Sequence, residues 1–328
     1  MSLSVTMSGM KVAQKDLDVI GNNIANAGTD GFKRSVTSFA DVFPNDPSAS
    51  PKTAVGQGAV VSLISRDTSQ GSMSSTGKVT DMAISGSGYF TLSAGGNQVY
   101  TRAGAFAVDK SGYLTDSSGN KVQMAGTDTT KEGISFNTPN DGTWTTTPPA
   151  PVTSLTGVQF PVYMHPVTDS AGKPDYTQQP TAVYPGAVPA NDPNPDPATG
   201  GTQPYNSTYD GLLQSVSIDS NGLISASYSG FQVPYPIGYL AIANFPNPAA
   251  LQPIGNTDFA ASGDSGNVTL SAGGTPGTGT VMSGALESSN VDITNELVKM
   301  LKAQQLYNGN ARALQTQVEV ASRVTDKL

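Results

Sequence analysis

The chain has 328 residues, one histidine (His165) and no cysteine. An imidazole or thiolate metal site, or a nucleophile paired with a base, needs at least two such groups close together. His165 is followed by Pro166 in a proline-rich stretch and reads as a loop or surface residue. Asp219-Ser-Asn-Gly222 has the opening spacing of a calcium loop. The twelfth position of such a loop should be a bidentate Glu, but here it is Gly230, and the flanks are strand-like. A tight turn, with Asp bonding its own backbone and Gly at positive φ, is the better reading. Gly86-Ser-Gly88 lacks the third glycine and the following helix of a phosphate-binding loop. Carboxylates such as Asp109 and Asp116 have no indicated pocket to concentrate them. No catalytic residue, cofactor-binding residue or metal ligand is assigned, no cofactor is expected, and the chain does not read as an enzyme.

These residues sit in a body of short strands. Phe106-Ala-Val-Asp109-Lys-Ser-Gly112-Tyr-Leu114 and Val216-Ser-Ile-Asp219-Ser-Asn-Gly222-Leu-Ile224 share one phrase, and each predicts a β-hairpin. Val61–Leu63, Met82–Ile84, Tyr89–Leu92, Val99–Thr101 and Tyr239–Phe245 read as further strands, with Gly86, Gly88, Gly95 and Gly96 as turns. Fourteen of the 23 prolines fall between Pro139 and Pro204. Central strands cannot hold so many, because each removes a ladder donor. That stretch is expected to be an insertion, irregular or built of short edge strands.

The two ends have a different pattern. Leu3, Met10, Leu17 and Ile24 recur every seven residues, with Met7 at a spacing of four. Leu297, Gln304, Ala311, Val318 and Thr325 do the same, as do Met300, Tyr307, Leu314, Ala321 and Leu328. The spacing predicts one helix from about Leu3 to Ala27, stopped near Gly28, and another from an Asp292 N-cap onward. Neither stripe is stable alone. The two helices together expose more apolar surface than one antiparallel pairing covers, so neighbours from other subunits are expected. The assembly residues are therefore Leu3, Met7, Met10, Leu17, Ile24, Leu297, Met300, Tyr307, Leu314 and Val318.

The expected architecture is α+β and multi-domain, with terminal α-helices forming a coiled-coil inner domain around nested, mainly antiparallel β. Residues 1–28 with 285–328 form the helical domain, 29–58 an extended connection, 59–134 with 209–284 the β domain, and 135–208 a Pro-rich outer insertion. Formal net charge is -8, and no Lys or Arg lies between Lys173 and Lys299. Both ends are balanced, so the middle carries the excess. Nucleic-acid binding is excluded for want of clustered basic charge, and the acidic middle reads as a solvated outer surface. The first ten residues are not expected to be a secretory signal, and no stretch approaches a membrane span.

Asn22-Asn-Ile-Ala-Asn26-Ala-Gly-Thr29-Asp-Gly31-Phe-Lys33 resembles the N-terminal signature of the flagellar rod and hook family, its marker residues being Asn22, Asn23, Asn26, Thr29, Gly31, Phe32 and Lys33. Gly284-Ala-Leu-Glu287-Ser-Ser-Asn290-Val-Asp292, with Glu296-Leu-Val and Gln304-Gln-Leu-Tyr307, is similar to that family's other end. So are Ala83–Phe90 and Tyr100–Phe106 in the β body. Ser38–Phe43 and Asn290–Ile293 look more like the hook branch than the rod branch, although the chain is shorter than familiar hook subunits; a distal rod subunit is the second reading. The resemblance implies a helical homopolymer with the terminal helices innermost, able to bend while transmitting torque. It also implies export through the flagellar type III apparatus to an extracellular position in the flagellum. The implied partners are other copies, rod proteins, a hook cap and hook–filament junction proteins. The competing class is a non-flagellar binding module that oligomerises through its ends.

Overall fold

The computed structural model describes residues 3–43, 56–125, 134–136, 144–147, 151–152, 154–161, 163–165, 167–168, 174–175, 181–183, 211–231 and 233–325. The fold is α+β, with two α-helices and otherwise antiparallel strands and short turns among these residues. It divides into two compact units: residues 1–71 with 289–328, and residues 72–288.

The first unit holds both helices, α1 (Leu3–Ala25) and α2 (Ile293–Thr325). It also holds an antiparallel pair, β1 (Ser35–Val42) and β2 (Gly58–Arg66). Residues 29–58 were expected to be an extended connection and 59 onward the β body; instead β1 and β2 pair with each other and pack with α1. Backbone pairing carries this arrangement, since Val36, Phe39, Val60, Leu63 and Ile64 of the two strands stay exposed. α2 starts as expected: Asp292 Oδ1 accepts from the backbone N–H groups of Thr294 and Asn295, at 2.9 and 3.1 Å. α1 does not end on Gly28. The Asn26 side chain donates to the Asn22 carbonyl, and Thr29 N–H to the Asn26 carbonyl, so the signature asparagines close the last turn. The left-handed residue there is Gly31, at φ 70°.

The second unit is built on a large antiparallel sheet. It includes β5 (Tyr89–Ala94), β6 (Asn97–Thr101), β7 (Ala107–Val108), β8 (Leu114–Thr115) and β9 (Lys121–Ala125). These follow β3 (Met73–Ser75) and β4 (Met82–Ser85), which pair with Ala285–Glu287 and Thr280–Ser283. A second sheet runs through Tyr163–His165, Gly211–Ile218, Leu223–Tyr228 and Tyr235–Tyr239. The core is the apolar face of both sheets, centred on Ile84, Leu92, Leu114, Ile224, Ile237 and Ile242. Phe90 and Phe106 meet edge to face at 5.3 Å.

The insertion was expected to start at residue 135 on the outside. The stretch from Leu155 does not lie outside. Leu155–Gly157 pairs with β9, and the Val158 and Phe160 amides bond the Val122 and Gly112 carbonyls. Val158, Phe160 and Met164 are buried in the core. Pro161 is tolerated because the ladder there ends. Most of residues 166–210 lies outside the described residues. His165 ends a strand, as far as its backbone shows.

The Asp-Gly phrase occurs three times. Asp109, Asp116 and Asp219 each accept, through Oδ1, from the amides two and four residues on, at 2.8–2.9 Å. Gly112, Gly119 and Gly222 close these turns at φ 78°, 83° and 78°. The Asp219 oxygen is thus occupied by backbone donors, which confirms the turn reading over the calcium loop. Among the described residues no cluster of His, Cys, Asp and Glu could hold a metal ion, and no helix is long and apolar enough to cross a membrane.

Candidate assembly interface

The first unit is closed by a knot of polar side chains drawn from both ends of the chain. Asn23 on α1 is 1% exposed. Its amide donates to the Ser35 carbonyl at 2.8 Å and to Glu296 Oε2 at 3.1 Å, while its Oδ1 accepts from Ser35 N–H at 2.9 Å. One side chain therefore fixes the start of β1 and joins α1 to α2. Glu296 is equally buried, and Lys299 Nζ lies 2.6 Å from its Oε1, with Arg34 at 3.8 Å. A buried carboxylate is tolerated only when donors surround it in this way.

Arg34 carries the knot onward. Its guanidinium holds Asp67 at 2.7–2.8 Å, and its backbone amide donates to Asn290 Oδ1 at 2.8 Å. Asn290 Nδ2 bonds the Asp67 and Ser69 carbonyls at 2.9 and 3.0 Å. Lys33, 2% exposed, donates to the same Ser69 carbonyl at 2.6 Å. Burial acts to raise the Asp67 carboxyl, but hydrogen bonds from Ser69 and Arg34, with the Arg34 charge, outweigh it and pull it down to about 2.

The structure thus gives most of the marker residues a structural job. Asn23 and Lys33 are buried donors, Asn22 and Asn26 cap α1, Thr29 bonds Asn26, Gly31 turns the chain, and the Phe32 carbonyl accepts from Asn290 N–H at 3.4 Å. Arg34, Asp67, Ser69 and Glu296 were not singled out as site residues in the sequence. Their partners are distant in the chain, and no spacing rule signals them.

The helices run antiparallel, since Asn23 meets Glu296 near one end and Gly9 lies against Asn310 near the other. A Cβ on Gly9 would come within 2.8 Å of the Asn310 amide. The buried line on α1 is Thr6, Ala13 and Ile20, not Leu3 and Met7, which are 49% and 44% exposed. On α2 it runs through Glu296 and Ala303. Small residues let the helices approach closely, and the larger apolar ones are displaced to the flanks. Met10, Leu17, Ile24, Met300, Tyr307 and Leu314 are half-buried. Leu297, Val298, Leu301, Leu306, Val318 and Val320 stand open, between 46% and 62% exposed. Phe39 and Phe43, which need cover, are open as well. Apolar side chains left open along both helices make this unit the candidate surface for association.

In the second unit, Arg102 and Glu287 form a buried ion pair at 3.0 Å. Arg102 also donates to the Ile84 and Gly86 carbonyls at 3.1 and 2.6 Å and lies 5.3 Å from the Tyr89 ring centroid. Gly104 is fixed by contact: a Cβ there would overlap the Met82 carbonyl oxygen.

Three family models match the chain. The flagella basal body rod protein model covers residues 3–33, the flagellar hook protein FlgE/F/G D1 domain covers 83–158, and the flagellar basal body rod FlgEFG protein C-terminal covers 282–326. The flagellar hook protein FlgE of Salmonella typhimurium is 27% identical over 99% of this chain and 100% of its own length. The flagellar basal-body rod protein FlgG of Borreliella burgdorferi is 27% identical over 96% and 94%. The FlgE of Treponema pallidum is 40% identical over 37% of this chain and 29% of its own. The chain is thus similar, over nearly its whole length, to flagellar hook and basal-body rod proteins, which are structural proteins of the flagellum. The match of the D1 model through residue 158 agrees with the packing of Val158 into the β core.

Proposed function

We propose that this chain is the structural subunit of a flagellar hook, polymerising into a flexible helical tube that transmits torque from rod to filament. The observation that carries the reading is the form of the first unit. Its ends are tied by Asn23 and Glu296, yet both helices keep apolar residues open to solvent. Likeness to hook proteins along nearly the whole chain supplies the identity of the polymer. The terminal helices of many copies form the inner coiled-coil layer, and the assembly residues Leu3, Met7, Leu297 and Val318 face neighbouring copies. Met10, Leu17, Ile24, Met300, Tyr307 and Leu314 serve first to hold the intramolecular pair. The acidic, turn-rich β unit keeps a hydrated surface that slides rather than locks during bending. Subunits leave the cell through the flagellar type III apparatus and lie outside it, between rod and hook–filament junction proteins, assembled under a hook cap.

The second reading is a distal rod subunit. It is favoured by the Borreliella match, whose alignment extends over 327 positions to cover 96% of this chain, whereas the Salmonella hook protein needs 409 positions to cover 99%. Electron microscopy of the polymerised protein separates the two. Curved tubes with helical surface order are expected for a hook; straight, short rods support the rod reading, and discrete small oligomers at every concentration overturn both.

A further inference from the structure

One hairpin of the β unit is attached far less firmly than the strands around it. Gln252–Gly255 and Asp258–Ala260 pair with each other at one edge of the large sheet. Every residue of the outer strand is exposed, Ile254 among them. The inner strand meets β6 through two residues only, Asp258 opposite Thr101 and Phe259 opposite Tyr100. The two ends of the hairpin are pinned together, because Ser262 Oγ donates to the Ala250 carbonyl at 2.7 Å. The tip is strained. Asn256 and Thr257 lie in the left-handed region, at φ 51° and 63°, which a β-branched residue rarely adopts. Such a backbone persists only where surrounding contacts hold it.

Those contacts come from the turn between β8 and β9. Asn256 Nδ2 donates to Ser118 Oγ at 3.1 Å. Asn120 Nδ2 donates to Asp116 Oδ2 at 2.8 Å and to Asp258 Oδ2 at 3.3 Å, so one nitrogen stands between two carboxylates. Asp116 Oδ1 is occupied by the amides of Ser118 and Asn120, which leaves the buried Asp258 as the place for a proton. The neighbouring cations are engaged elsewhere. Arg102, next to Thr101, pairs with Glu287, and Lys121, next to Asn120, lies over the Tyr113 ring at 3.5 Å. Tyr100, on the other face of β6, donates its hydroxyl to Gln98.

We propose that this hairpin is a strap that closes in acid. With a proton on Asp258 the tip is locked onto the β8–β9 turn. Once the proton leaves, two like charges share one amide group, and the strained tip is released. The pivot is the Ser262–Ala250 bond. The surface uncovered is the aromatic cluster of Tyr89, Tyr100, Phe245 and Phe259, in which the Tyr89 and Phe259 rings meet edge to face at 5.9 Å. Burial and the Asp116 charge raise Asp258 to about 6 in the closed strap, and release returns it toward the ordinary 3.8. Opening is therefore rarest below that ordinary value, becomes more frequent as pH rises toward 6, and is constant above. The strap is a property of the β unit alone and does not depend on the polymer.

Hydrogen exchange of the full-length protein, read by mass spectrometry between about pH 4 and 7.5 and corrected for the intrinsic rate, tests this. Thr280–Ser283, paired with β4 in the same unit, is the internal control. Protection of residues 252–260 is expected to fall at least about tenfold between pH 4 and 6 and to level off above, while the control stays constant. Asp258→Asn should hold the protection of the strap flat across this range, and Asp116→Asn should shrink the change. Wild-type protection that does not vary with pH, or that falls equally in the control, overturns the proposal. So does a full pH dependence retained in Asp258→Asn. The comparison of the two wild-type segments decides the matter even where a variant fails to fold.

Discussion

Asn23 and Glu296 lie 273 residues apart in the chain and 3.1 Å apart in the structure, both 1% exposed. This one hydrogen bond ties the ends of the molecule together, because the same Asn23 amide group also holds Ser35. Asn23→Ala should leave the Glu296 carboxylate short of a donor and Ser35 N–H without its acceptor. A loss of about 1–3 kcal/mol per buried group left unmet is expected. Chemical denaturation followed by helical circular dichroism measures it; a change within error would show that the clamp does not hold the helices.

Asp67 gives the first unit an acid limit. Its folded value, about 2, lies below the ordinary carboxyl value, so its contribution is complete above that ordinary value and fades as pH falls toward 2. Asp67→Asn should weaken the unit at neutral pH and flatten that part of the acid-unfolding profile. A variant whose profile overlays the wild type would exclude Asp67 as its source.

Asp258 acts in the opposite sense. Burial first, then the nearby Asp116 charge, raise it to about 6, against a hydrogen bond with Thr101. Asn120 Nδ2 reaches both carboxylates, at 2.8 and 3.3 Å. Stability is therefore greatest where Asp258 is protonated and declines as pH rises through about 6. Thermal unfolding of the β unit between pH 4 and 7 should show this decline, levelling off above about 6, and Asp258→Asn should abolish it.

Leu297→Asp with Leu301→Asp should prevent polymerisation while leaving the melting of the β unit unchanged, since both side chains are open in the single chain. Leu314→Asp differs: the residue is half-buried, so helical content should fall as well. Sedimentation beside circular dichroism distinguishes the two outcomes, and tubes formed normally by the double variant would refute the exposed stripe as the assembly face.

Phe160→Ala tests whether the stretch beyond residue 155 belongs to the β body. A buried aromatic truncated to Ala typically costs about 3–5 kcal/mol. A surface insertion would lose almost nothing.

The sequence by itself determined the elements and the family. The seven-residue spacing of apolar side chains dictates helices at both ends, and Asp-x-x-Gly dictates a turn wherever it occurs, because these rules depend on neighbours in the chain. The signature from Asn22 to Lys33 could be read as a motif without knowing what it does. Only the tertiary structure decided which apolar residues pair within the molecule. Close approach selects Thr6, Gly9, Ala13 and Ala303 for the helix contact, and so leaves Leu3, Met7, Leu297 and Val318 outside. Periodicity marks a face but not the residue at its centre. The Asn23, Arg34, Asp67, Asn290 and Glu296 knot was illegible for a related reason: each side chain finds its partner across a fold, and a buried polar group is interpretable only once its donors and acceptors have been brought to it.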